Sequence, residues 1–334
     1  LAIKLHHCIA DGMGALELAY RLLCEEPAAP PPKSPRPSAT TLAGLPLAAL
    51  REGADLLVHP RRIEHAVRSA GAGAELLARE QLDPAPQTSV NQPIGADRRY
   101  ASVTIPLRQL TEIEHVLGGT VTDALLTTVA GALGRLLAAR DEGCPADGLR
   151  AMVPVDVRRP DDVAEGNRIS SLFVRLPVDV KQPLARHAAV KRETARVKHD
   201  DQQGGSSALV AVSGLAPPLL HRTLARLFAT PRLFNLTVTS MRGPEQPLLV
   251  DGARLRQIHA LVPLAPAHTL GVAIVSHAGA TTFGVIADRD AVPDLDVFTA
   301  GLRASHAQLR RAAHRRAALG PGGAVQSALE GIPD

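Results

Sequence analysis

The longest stretch without a formal charge runs from Gln257 to Ala287. Pro263, Pro266, Gly271, Gly279 and Gly284 interrupt it, so it does not read as a membrane-crossing helix. Its apolar residues fall instead into strand-like runs, Leu270 to His277 and Thr282 to Ala287, with a hairpin between them. Leu236 to Ser240 and Arg254 to Val262 read as further strands. So do Tyr100 to Leu107, Leu149 to Val157 and Ile169 to Val178. Leu1 to Leu5 is a short strand-like entry.

Helical spacing alternates with these runs. Gly14 to Cys24, Leu110 to Leu117, Asp123 to Arg140, Pro183 to His199 and Pro293 to Arg316 all read as helices. Thr120-Val121-Thr122-Asp123 marks the start of the third of these. Leu42 to Leu82 and Gly204 to Leu227 are expected to be mostly helical, Pro27 to Pro37 and Pro84 to Asp97 to be loops, and Gly320 to Asp334 a loose tail. Strands mixed irregularly with helices argue for an α/β sandwich-type enzyme.

Composition narrows the function. The chain has 334 residues and 45% hydrophobic content, enough to bury a real core. A net charge of +4 does not argue for nucleic acid, and 2% aromatics with no Trp leave no stacking platform for single strands. Three widely spaced Cys form neither a metal pattern nor a disulfide framework, which fits a reducing cytoplasm.

Chemistry concentrates in His6-His7-Cys8-Ile9-Ala10-Asp11-Gly12. Neutral imidazole takes a proton from an alcohol at pH 7, which suits a general base. Adjacent side chains at a strand end point to opposite sides, so one His of the pair faces a given channel. Asp11 either pins the turn or orients an imidazole, and Gly12 permits close backbone approach. The pair also fits a structural turn. His6, His7 and Asp11 are conceivable metal ligands, although no third His or Cys lies at a compact spacing. No nucleophile elbow, Walker loop or complete dinucleotide fingerprint is present.

The segment His6 to Gly12 resembles the His-His-x-x-x-Asp-Gly signature of the CoA-dependent acyltransferase superfamily. That group includes chloramphenicol acetyltransferase-like enzymes and peptide-synthetase condensation domains. Gly119 to Asp123, Val153-Pro154-Val155 and Gly166-Asn167-Arg168-Ile169-Ser170-Ser171 resemble the bacterial wax ester synthase/diacylglycerol acyltransferase family. So do Thr239 to Leu248 and the hairpin around Ser276-His277-Ala278-Gly279. Thr122 and Ser240 stand where that family usually has Asn, both small polar replacements that suit a cap or turn.

The resemblance implies a two-domain, chloramphenicol acetyltransferase-like α/β sandwich with its first domain incomplete. Residues 1–85 would be the remainder of the N-terminal domain plus linker helices, 95–320 the C-terminal domain and 321–334 a flexible tail. It implies acyl transfer from acyl-CoA to diacylglycerol or a long-chain alcohol, with acyl-CoA a co-substrate and no cofactor or metal. His7 would be the base, His6 and Asp11 would support it, and Gly12, Asn167 and Arg168 would line the substrate channel. Ser240 to Pro244 reads as a turn. Arg303, Arg310, Arg311, Arg315 and Arg316 read as a solvated face or as contacts for anionic lipid, which would put the enzyme at the inner membrane or on lipid inclusions. A condensation domain and an inactive fragment acting as a binding or scaffold module are the alternatives.

Overall fold

The computed structural model describes residues 2–5, 12–23, 83–156, 169–202, 230–250 and 252–329. The expected helices at 42–82 and 204–227 and the Pro-rich loop at 27–37 lie outside this set.

Its centre is the hairpin of β7 (Leu270–His277) and β8 (Ala280–Asp288). Ala278 and Gly279 turn it, with φ of 46° and 82°. Positive φ at both central residues is the type I′ geometry that matches strand twist. The tip is pinned from two sides. Ala278 N–H donates to the Pro244 carbonyl at 3.2 Å, and Leu107 N–H donates to the Gly279 carbonyl at 2.8 Å.

The sheet grows outward from this hairpin. β1 (Arg98–Pro106) pairs antiparallel with β8, and β4 (Leu236–Arg242) pairs parallel with β7. β2 (Leu149–Asp156) lies parallel to β4, and β3 (Ile169–Leu176) closes the far edge antiparallel to β2. The order is β1-β8-β7-β4-β2-β3. A separate two-stranded ribbon joins β5 (Leu249–Val250) to β6 (Ala253–Arg254).

Alternation along each strand sends one set of side chains to a shared core. Val103, Leu149, Val174, Val238, Ile274 and Phe283 all point there and are buried. Among the described residues four helices cover that face: α2 (Leu107–Leu117), α3 (Val121–Ala139), α4 (Pro183–Gln202) and α5 (Leu295–Leu329), with α1 (Gly12–Leu23) apart from them. α3 is apolar on nearly every side because neighbours surround it. Leu126, Leu133, Leu136 and Leu137 are all fully buried. By length and composition alone α3 is apolar enough to cross a membrane, but here it is the central core helix. Each such Leu contributes about 1.5–3 kcal/mol of burial.

Three expectations need correction. Ala2–Leu5 has no strand pairing and Ala2, Ile3 and Lys4 are exposed. Arg254–Val262 is strand only at Ala253–Arg254. The chain beyond lies flat over the open face of the sheet, where glycines leave room for it. The Ala260 carbonyl sits on Gly284, and the Val262 and Leu264 side chains sit on Gly271. A backbone lying across the strands cannot also pair edge to edge with them. Finally, α5 continues past Arg316 to Leu329, through residues read as the start of a tail. The expected loop at 84–97 is irregular but tied down: Ala85 N–H donates to Arg232 O at 2.7 Å and Ser89 N–H to Glu142 Oε1 at 2.9 Å.

Candidate functional site

β2, β4 and β7 run the same way, so their last residues Asp156, Arg242 and His277 share one end of the sheet. The antiparallel partners begin there too: Ile169 opposite Asp156, and Ala280 opposite His277. β1 ends beside them at Pro106. The first turn of α1 rests on this end. A Cβ at Gly12 would stand 2.5 Å from Met241 Sδ. Leu16, one turn on, brings its Cδ2 within 3.6 Å of the Cβ position of Gly243. Residues four apart share a helix face, so Gly12 and Leu16 form a single contact edge.

Met241 reaches this edge because of strand parity. Leu236 and Val238 point into the helix-covered core, whereas Thr237, Thr239 and Met241 point to the open face. Ser240, expected to end the strand and open the turn, pairs opposite Ile274, and the strand runs two residues further to Arg242. Pairing continues through Arg242 opposite Ser276, and Gly243 N–H then donates to the Ser276 carbonyl at 2.8 Å. A side chain on Gly243 would strike that carbonyl, so the chain turns only after it.

His277 locks the turn in place. It is 3% exposed, with Nδ1 3.0 Å from the Pro244 carbonyl and Nε2 3.4 Å from the Leu255 carbonyl. The segment between β4 and β6 is thereby held against the hairpin. Arg242 is exposed at the same end, and Thr239 and Ser240 are half-buried beside it.

Of the candidate site residues, the described structure includes Gly12. His6, His7, Asp11, Asn167 and Arg168 lie outside it. The His-His motif immediately precedes α1, and Asn167-Arg168 immediately precedes Ile169, the first residue of β3. Both anchor points are at the same end of the sheet. The Thr120–Asp123 motif does different work. Thr120 N–H donates to Asp123 Oδ2 at 2.7 Å, and Asp123 N–H donates to Thr120 Oγ1 at 3.3 Å. This capping box starts α3 inside the core, with Asp123 3% exposed.

A cleft of about 340 Å³ lies at the opposite end of the sheet, lined by Gly148, Arg175, Pro177, Asp179, Arg192 and Glu193. Leu149 and Leu176 mark that end, so this cleft stands apart from the α1 seat. Among the described residues, no cluster of three His, Cys, Asp or Glu has metal-binding geometry. Sequence reasoning missed Met241 and Leu16. No local pattern links Gly12 to Met241, which is more than two hundred positions away.

Comparison with known proteins agrees with this arrangement. Residues 1–125 match the wax ester synthase/diacylglycerol acyltransferase catalytic domain, and residues 165–310 match the family's C-terminal domain. The probable diacylglycerol O-acyltransferase tgs1 of Mycobacterium tuberculosis is 29% identical over 331 residues, covering 95% of this chain and 70% of the relative. The probable diacylglycerol O-acyltransferase tgs2 of the same species is 29% identical over 323 residues, covering 92% and 70%.

Solved structures give the same fold. The wax ester synthase/diacylglycerol acyltransferase of Marinobacter aquaeolei VT8 matches with a TM-score of 0.54 and 23% identity, over 75% of this chain and 57% of that one. The epimerization domain of the third module of tyrocidine synthetase B matches with a TM-score of 0.53 and 14% identity, over 93% and 69%. The chain therefore spans somewhat over half the length of the solved wax ester synthase. It belongs to the wax ester synthase/diacylglycerol acyltransferase family, a family of acyltransferases, and carries residues of both its catalytic and its C-terminal domain.

Proposed function

We propose that this protein is an O-acyltransferase that moves a long-chain acyl group from acyl-CoA to diacylglycerol or a long-chain alcohol. The observation that carries the reading is the start of α1 at Gly12, directly after the His-His motif, on the sheet end that holds the hairpin tip, the end of β4 and the start of β3. His7 takes the proton of the acceptor hydroxyl as that oxygen attacks the thioester carbonyl. The carbon–sulfur bond breaks, and the CoA sulfur leaves with the proton returned from His7. His6 and Asp11 hold the turn that presents His7. Gly12, Asn167 and Arg168 border the channel. The chemistry needs no cofactor beyond the acyl-CoA substrate.

The enzyme works in the cytoplasm, against the inner membrane or the surface of lipid inclusions. Arg303, Arg311, Arg315 and Arg316 are exposed along α5, whereas Arg310 is engaged with Glu112 at 3.2 Å. Exposed arginines on one helix favour an anionic lipid surface. Release from membranes by high salt is the expected result, and a soluble protein that never sediments with them would overturn this placement.

The deciding experiment measures free CoA released from palmitoyl-CoA by the full-length protein, with diacylglycerol or hexadecanol present or absent. Acceptor-dependent release, with the matching ester as product, is expected. A folded protein that releases no CoA with either acceptor overturns the reading.

A further inference from the structure

We infer that the outer turns of α5 are the surface that meets anionic lipid, and that Glu112 of α2 is the charge that holds this contact back. The inference rests on the membrane placement proposed above and adds to it the contact residues and their restraint.

α5 changes character after Ala313. Leu309, Ala312 and Ala313 are buried in the fold, whereas every residue from His314 to Leu319 is exposed. That stretch rises about 9 Å along the helix axis, so α5 leaves the body of the domain before it ends at Leu329. Its charge is of one sign. From Val297 to Leu329 the sequence holds five Arg and no Asp, Glu or Lys. Arg311, Arg315 and Leu319 are spaced four apart and share a helix face, with Arg316 beside them. The three arginines make no ion pair among the described residues. Leu319 is 61% exposed in their midst. Cations around an exposed leucine suit a bilayer interface: headgroup phosphates take the guanidinium groups, and the boundary of the acyl region takes the apolar tip. A soluble polyanion satisfies the cations and leaves Leu319 in water.

Glu112 works against this contact. Its Oε2 lies 3.2 Å from Arg310 Nε and 3.6 Å from His314 Nε2. These partners are the sequence neighbours of Arg311 and Arg315, so a carboxylate stands at the edge of the cationic face. An exposed pair of this kind adds little to folding stability. Within a Debye length of an anionic leaflet the same carboxylate is repelled, and it occupies a cation that headgroups would otherwise bind. One basic residue near such a surface is worth about fivefold in affinity, and removal of the opposing charge returns about as much.

The test is sedimentation of the full-length protein with vesicles of phosphatidylcholine, alone or mixed with phosphatidylglycerol. Elution from a heparin column is measured beside it, and thermal melting is followed for every variant. The triple variant Arg311→Gln/Arg315→Gln/Arg316→Gln binds the mixed vesicles about 10²-fold more weakly, about fivefold for each charge. Glu112→Gln binds them about fivefold more tightly. Leu319→Ala weakens vesicle binding and leaves heparin elution unchanged. A folded triple variant that binds like wild type overturns the inference, as does a Glu112→Gln protein that binds no more tightly. Wild-type vesicle binding by Leu319→Ala assigns the face to a soluble polyanion such as nucleic acid and overturns the lipid assignment. If the triple variant does not fold, Arg315→Gln alone is read for its fivefold loss, and no loss there overturns the inference. A wild-type protein that sediments with neither kind of vesicle removes the membrane placement itself, and this inference falls with it. A wild-type protein that does sediment, with unchanged variants, removes this inference alone.

Discussion

The Thr194 hydroxyl donates to the Asp123 carboxylate at 2.6 Å, tying α4 to the first turn of α3. The other carboxylate oxygen accepts from the Thr120 amide at 2.7 Å and the Thr120 hydroxyl at 2.9 Å. One buried charge thus caps a helix and joins two. Asp123→Ala should destabilise the fold by about 2–4 kcal/mol, combining a lost cap with hydrogen bonds to a charged group. Urea titration followed by circular dichroism measures this. A loss below about 0.5 kcal/mol, typical of a surface change, would contradict it.

His306 makes acid a selective stress. It is 5% exposed on α5; its Nε2 lies 2.9 Å from Gln109 Oε1 and its Nδ1 has no hydrogen-bond partner among the described residues. Burial first, and the Arg310 charge second, push its pKa down from 6.5 to about 4, with Glu112 opposing. A histidine with a lowered folded pKa favours the unfolded state once protons are available. Its contribution is fully present above pH 6.5 and is lost as pH falls toward about 4, by up to roughly 3 kcal/mol. His187 and His268, also lowered mainly by burial, act in the same direction. His306→Gln should flatten the fall in stability between these pH values. Parallel curves for variant and wild type would sink the assignment.

His7→Ala should lower kcat by about 10²–10⁴-fold, the usual worth of a positioned base, without changing the melting temperature. Replacing Asn167 or Arg168 should act mainly on KM for acyl-CoA. Steady-state kinetics at saturating acceptor separates the two patterns. Wild-type turnover in His7→Ala would assign the proton transfer elsewhere.

Most of the strands and helices were legible because their signals are local. The capping box at Thr120–Asp123 and the alternation of β1 and β8 need no distant partner. Arg254–Val262 was misread because an apolar, charge-poor segment looks the same whether it pairs in a sheet or lies across one. What decides is the space above Gly271 and Gly284, on other strands. The strand read as Leu236–Ser240 runs on to Arg242 for a related reason. The turn begins where pairing with β7 ends, and that depends on Ser276, not on the residues beside Ser240. The His-His motif was legible as chemistry. Its seat was not, because Gly12 and Met241 meet through tertiary structure alone.

Gly284 offers a direct check on the segment that crosses the open face. Its missing side chain admits the Ala260 carbonyl, and the Tyr100 hydroxyl would stand 2.8 Å from a Cβ placed there. Tyr100 holds its place for other reasons: it is in β1 opposite Ile286, and its hydroxyl is 3.3 Å from His259 Nδ1. A methyl at 284 must therefore lift the 255–268 segment off the sheet, because the β1 and β7 ladders on either side fix β8 itself. Overpacking of this kind costs about 1–3 kcal/mol. The loss should be local, since the main core lies on the other face with Phe283 and Val285. Gly284→Ala is thus expected to speed proteolytic cleavage within 255–268 while the helical signal of the domain persists. Cleavage at the wild-type rate would mean that the segment does not rest on Gly284.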